Sequence, residues 1–69
     1  MPYKFRDIET RLKKLGFSVV RQKGSHVLFS DGKRVFPVPN HGGKDISPGV
    51  EKKILEFISK TKKDFDDLK

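Results

Sequence analysis

Two side chains of this protein are histidines, the residue type suited to proton transfer near neutral pH: His26 and His41, both next to glycine-containing turns. Around the first the chain reads Arg21-Gln22-Lys23-Gly24-Ser25-His26. It offers two cations that can neutralise a phosphate, a glycine turn with outward backbone N–H groups, a hydroxyl, and an imidazole at the mouth of a strand. Together these make a compact phosphate-handling set. Imidazole, with a reference pKa of ~6.5, can take up a proton at neutral pH. That is general-base chemistry, typically worth about 10²- to 10⁴-fold in rate. The alternative for His26 is a hydrogen-bonded residue closing a strand. His41 follows Val38-Pro39-Asn40, and is either an acid for the same reaction or a hydrogen-bonding loop residue. Lys44, with Ser47 and the free N–H groups opening the next helix, could hold a further phosphate.

Other groupings carry less. His41 and Asp45 are too few ligands for a closed zinc or calcium site, so no metal is expected. Gly42-Gly43-Lys44 lacks the Gly-x-x-x-x-Gly-Lys-Ser/Thr spacing of a nucleotide-binding loop and the strand that should precede it. Asp64, Asp66 and Asp67 have no sequence neighbour that would tune them for acid–base work and read as solubilising. Lys52, Lys53, Lys60, Lys62 and Lys63 form either a solvated face or a stripe that tracks a polyanion.

Sixteen Lys and Arg stand against nine Asp and Glu, a net charge of +7 over 69 residues. Residues 61–69 balance Lys62, Lys63 and Lys69 against Asp64, Asp66 and Asp67, so the whole excess lies in residues 1–60. A polyanion is the expected partner class. A chain this short hides only about 60% of the surface it exposes unfolded. It forms one domain, residues 1–69, with no room for a barrel or a doubly wound cofactor fold. No cofactor is expected. There is no cysteine, hence no disulfide and no thiolate cluster, which suits a reducing cytoplasm. The start resembles no signal peptide and no window approaches the ~18 apolar residues of a membrane span. The expectation is a soluble intracellular protein.

Seven stretches must position these residues. Phe5, Ile8, Leu12 and Leu15 fall on one face of a helix over Tyr3–Leu15, which Gly16 stops, with Arg6, Thr10 and Lys13 on the opposite face. Phe17–Gln22 and His26–Ser30 read as two strands joined by Lys23-Gly24-Ser25. Asp31-Gly32 then signals a two-residue hairpin turn into Arg34–Val38. Pro37 cannot donate to a ladder, so this third strand belongs at the edge of a three-strand meander. Pro39–Ile46 reads as an exposed loop. Ser47 caps a helix with Pro48 at its first position, and Val50, Ile54, Phe57 and Ile58 recur at helical spacing to about Lys60. Thr61 and Asp64 suggest a weak capping box for a short, frayed terminal helix with Phe65 and Leu68, reaching Lys69. The fold class is therefore α+β, two layers in the order α-β-β-β-α with a short C-terminal helix. This is the layout of the double-stranded RNA-binding fold.

Gly16-Phe17, Arg21-Gln22-Lys23-Gly24-Ser25-His26, Val38-Pro39-Asn40-His41 and Pro48-Gly49 ahead of a helix, in this order and spacing, resemble the HicA toxins of bacterial toxin–antitoxin systems. The resemblance covers nearly the whole chain. It implies a double-stranded RNA-binding-like fold, cleavage of messenger RNA, and silencing by a HicB-type antitoxin. It also implies that His26, in Gly-Ser-His, is the catalytic histidine. One departure is Val50, where family members commonly place Thr; an Arg often found in that helix has Lys52 or Lys53 as its counterpart. The chemistry agrees without the family. RNA carries its own nucleophile, the 2′-hydroxyl, so a nuclease needs only a base, cations for the developing phosphorane charge and an acid for the leaving oxygen. His26 is the expected base, with Lys23 and the Gly24 and Ser25 turn on the phosphate, joined by Arg21 if strand alternation points it the same way. The rival expectation is a non-catalytic RNA-binding module whose charge serves backbone electrostatics alone.

Overall fold

A computed structural model describes residues 3–68. Helix α1 spans Phe5–Lys14, strands β1, β2 and β3 span Ser18–Lys23, His26–Ser30 and Val35–Pro39, and helices α2 and α3 span Pro48–Ile58 and Lys62–Asp66. The strands form one antiparallel sheet in the order β1-β2-β3. This is the expected α+β meander with Pro37 on an edge strand.

Local chemistry explains the boundaries. The backbone N–H of Lys4 donates to the Asp7 carboxylate at 3.0 Å and so closes the start of α1. At its other end Gly16 takes φ +94°, and the N–H groups of Gly16 and Phe17 return to the carbonyls of Lys13 and Leu12. That is a Schellman stop, open to glycine at little steric cost. Ser47 Oγ accepts the N–H of Val50 at 3.3 Å and Thr61 Oγ1 that of Asp64 at 3.2 Å, capping α2 and α3.

Both long helices lie on one face of the sheet. Val27 and Phe29 of β2 and Phe36 and Val38 of β3 point into a core with Ile8, Leu12, Ile54 and Ile58, all buried. Phe5 packs on Phe29 and Phe57 on Phe36, with ring centroids 6.1 and 4.4 Å apart. Among the described residues no helix covers the opposite sheet face, and there Arg21, Lys23 and His26 stand.

Three expectations need correction. The β2–β3 connection has four residues, 31–34, instead of a two-residue turn. The Asp31 carboxylate accepts the N–H groups of Arg34 at 2.9 Å and Lys33 at 3.0 Å, a side-chain turn that competes with the tighter one. Those bonds hold the Asp31 carboxyl below its ordinary pKa, Arg34 being the larger cause. The 39–46 loop is not wholly exposed, since Ile46 is buried and its N–H donates to the Tyr3 carbonyl at 2.7 Å. The terminal helix is not frayed. Phe65 is fully buried, Tyr3 Oη donates to Asp66, and Arg11 donates to the Phe65 carbonyl at 2.9 Å. Burying one Phe stabilises by about 1.5–3 kcal/mol, enough to hold a helix too short to form alone. Asp66 is therefore a structural partner and not a free solubilising carboxylate. Lys69, placed in that helix by sequence, lies outside the described residues.

Candidate functional site

The β1–β2 connection is the two-residue turn Gly24-Ser25, since Lys23 and His26 pair directly. Gly24 has φ +59° and Ser25 has no positive φ, the pattern of a type II′ hairpin turn with glycine first. His26 opens β2 immediately after it and is exposed.

Strand alternation alone would put Arg21 on the wrong face. Phe17 is buried, so a strict period of two carries Val19, Arg21 and Lys23 inward with it. The register shows otherwise. Val19 pairs with Phe29 and Arg21 with Leu28, leaving Val20 as a bulge between them. From Arg21 onward the strand changes face. Arg21 opposite Leu28 and Lys23 opposite His26 thus share the outer face of the sheet, two residues apart on each strand. On the other side His26 pairs with Pro39, and Leu28 with Pro37. His26 therefore sits between a lysine on β1 and a proline on β3.

His41 and Lys44 approach from the loop. The Asn40 N–H donates to the Ser25 carbonyl at 2.6 Å, which ties the loop to the hairpin turn beside His26. Beyond it Pro39, His41, Lys44, Ser47 and Val50 line a cavity of about 170 Å³ at the start of α2. All seven candidates are thus brought to one end of the sheet. Arg21, Lys23, Gly24, Ser25 and His26 cluster on the outer face, while His41 and Lys44 form a second group past Pro39.

A groove of about 480 Å³ runs between the open edge of β3 and α2, bounded by His26, Pro37, Pro39, Val50, Lys53 and Phe57 among others. The sequence alone leaves this groove unassigned, with Lys53 part of a solvated face or cationic stripe and, with Lys52, a counterpart of the Arg that family members often carry in that helix. Its signal was present in Pro37 and Pro39, alternate residues of one edge strand.

Around His26 the outer face is cationic, while Asp45, which lines the cavity with His41 and Lys44, is paired to Lys4 at 2.8 Å. Ion pairs among the described residues are Lys4–Asp45, Lys13–Glu9, Arg34–Asp31 and Lys62–Glu51; they do not involve Arg21, Lys23, Lys44 or Lys53. Among the described residues no partner hydrogen-bonds the His26 ring, and no cluster of three or more His, Asp or Glu stands ready for a metal ion. No described helix is long and apolar enough to cross a membrane. The arrangement can hold a phosphate against an accessible imidazole.

Neither a curated protein nor a solved structure matches the chain. A family model described as "HicA toxin of bacterial toxin-antitoxin" matches residues 5–58, from the first residue of α1 to the last of α2. With all five principal elements inside that match, the chain belongs to the HicA toxin family.

Proposed function

We propose that this toxin is a metal-independent endoribonuclease that cuts messenger RNA in the cytoplasm, with His26 as general base. Family membership makes it one half of a toxin–antitoxin pair, and we assign a HicB-type antitoxin as the partner that covers the cationic face. The observation that carries the reading is the bulge at Val20. It gathers Arg21, Lys23 and His26 on one exposed face without an intervening carboxylate.

In the reaction His26 takes the proton of the 2′-hydroxyl, and that oxygen attacks the adjacent phosphorus. The bond to the 5′ oxygen breaks and leaves a cyclic phosphate, while the departing oxygen receives a proton from an acid. His41 is the candidate for that acid, held near the hairpin by the Asn40–Ser25 bond. Lys23, Arg21 and the Gly24-Ser25 turn stabilise the phosphorane charge, and Lys44 holds a flanking phosphate.

His26→Ala retains the fold and RNA binding and lowers cleavage by about 10²- to 10⁴-fold. The assay is fragment release from labelled single-stranded RNA in EDTA, with wild type alongside and a DNA strand of the same sequence as an uncut control. Equal cleavage by the variant removes His26 from the mechanism. One observation favours a second reading, a non-catalytic RNA-binding module: no described residue orients the His26 ring. Binding without fragments across neutral pH would establish that module instead.

A further inference from the structure

The two walls of the groove beside His26 differ from the rest of the outer face. On β3 the N–H of Asn40 bonds Ser25 and the carbonyl of Arg34 accepts from Asp31, so the even-numbered residues turn their backbone toward β2. Val35, Pro37 and Pro39, the alternate set, turn theirs to the open edge. Two of those three have no N–H. The strand wall therefore presents carbonyl acceptors and pyrrolidine rings, with a single donor at Val35. A phosphate finds almost nothing to bind there. Opposite stand Val50 and Phe57 of α2, half-buried, with Lys53 exposed at the rim. Among the described residues no Asp or Glu lines the groove.

We propose that this groove seats an unstacked nucleobase of the RNA strand, adjacent to the phosphodiester held at His26. The proposal rests on the ribonuclease reading above and adds where the strand's bases go. Its volume of about 480 Å³ falls within the ~300–1,000 Å³ usual for ligand pockets. Its composition, apolar walls with a few convergent acceptors, suits a flat ring that carries N–H donors. Charge complementarity fixes the class of occupant: the rim holds Lys53, and across His26 stand Lys23 and Arg21, so the polymer entering the groove is anionic. Neighbouring strands lie about 4.8 Å apart, so Lys23 on β1 and Pro39 on β3 flank His26 at about 10 Å from each other. One nucleotide can then place its phosphate on the cationic side and its base on the apolar side. A base stacked in a duplex cannot enter, so cutting requires single-stranded RNA.

The test uses two strands of equal length, a single-stranded RNA and its ribose-phosphate backbone without bases, each with all 2′-hydroxyls. Wild type binds the intact strand more tightly by roughly 5- to 150-fold, the range that one stacked base corresponds to. Val50→Trp, which fills the groove, lowers binding of the intact strand by a comparable factor and abolishes the difference between strands. Val35→Ser does the same to a smaller degree at an exposed position, and serves if the first variant does not fold. Equal binding of both strands by wild type overturns the groove assignment even where RNA is cut. Base-dependent binding without any cleavage overturns the ribonuclease reading and leaves the groove standing. If both variants keep the difference between strands but lose the antitoxin, the groove is a protein-docking surface and the proposal fails.

Discussion

Arg11 and Arg21 are ten residues apart and chemically identical, yet the fold treats them in opposite ways. Arg11 is 8% exposed. It donates to the carbonyls of Phe65, Asp7 and Asp66, and its guanidinium lies 5.1 Å from the centre of the Tyr3 ring and 5.8 Å from that of Phe65. Arg21 stands exposed on the outer sheet face, paired in register with Leu28, and belongs to none of the ion pairs among the described residues. The first region uses its cation to lock the two ends of the chain together. The second leaves them open beside His26. Positive charge alone is therefore a poor guide to function in a chain of +7. What separates the two roles is whether the donors already have acceptors, because a saturated guanidinium has little left for a phosphate.

The largest effect should fall on the locked region. Phe65→Ala empties a fully buried site against α1 and costs about 3–5 kcal/mol in chemical unfolding, a large part of a small domain's stability. RNA affinity of the molecules that remain folded stays the same. Loss of RNA binding at unchanged stability would join α3 to the open face and dissolve the contrast.

On the open face the double variant Arg21→Glu, Lys23→Glu should do the reverse. RNA association weakens on the order of 10²-fold, as expected when two charge-assisted hydrogen bonds to phosphate are removed, while stability in chemical unfolding changes by no more than about 0.5 kcal/mol. The plot of log affinity against log salt becomes shallower by about 0.7 for each phosphate that the protein no longer neutralises. An unchanged slope would mean that these side chains do not touch the backbone of the strand. Lys53→Ala sharpens the boundary between the cationic side and the groove. As the one Lys or Arg lining the groove among the described residues, it should reduce the slope by about 0.7 and affinity by about tenfold, with the preference for base-bearing RNA intact.

Much of this architecture could be read from spacing. Phe5, Ile8, Leu12 and Leu15 announced α1, and Pro37 announced an edge strand, because one turn of helix or one missing donor is a local property. The candidate cluster at His26 was legible for the same reason, being contiguous in the chain. The face on which Arg21 projects was not. It depends on Val20 being skipped in the pairing with β2, a tertiary event that strict alternation misplaces. The groove was hidden because its walls, β3 and α2, are separate in sequence and meet only through the core. Arg11 was invisible as a structural residue since two of its three acceptors lie 54 and 55 positions away. The same distance hid the burial of Phe65, so α3 reads as a frayed tail until the N-terminal segment is seen against it.

The smallest effect tests the lock from its other end. Burial, and then the Asp66 carboxylate that accepts its hydrogen bond, push the Tyr3 phenol above its ordinary pKa of 10.0. A phenol that holds its proton more tightly in the folded chain than in the unfolded one contributes a stability that is constant below pH 10. That contribution is lost as pH rises through the folded-state value. Wild type should therefore lose stability above pH 10 more steeply than Tyr3→Phe, which has no proton to release. Below that pH the variant should be weaker by about 0.5–1.5 kcal/mol, the usual worth of one hydrogen bond. Tyr3 is the single tyrosine and there is no tryptophan, so phenolate absorbance during alkaline unfolding reports this group alone. Absorbance rising before the fold is lost would place the phenol in solvent and detach Asp66 from it. Coincident transitions, with Arg21→Glu, Lys23→Glu indistinguishable from wild type in the same titration, would keep the two regions energetically separate.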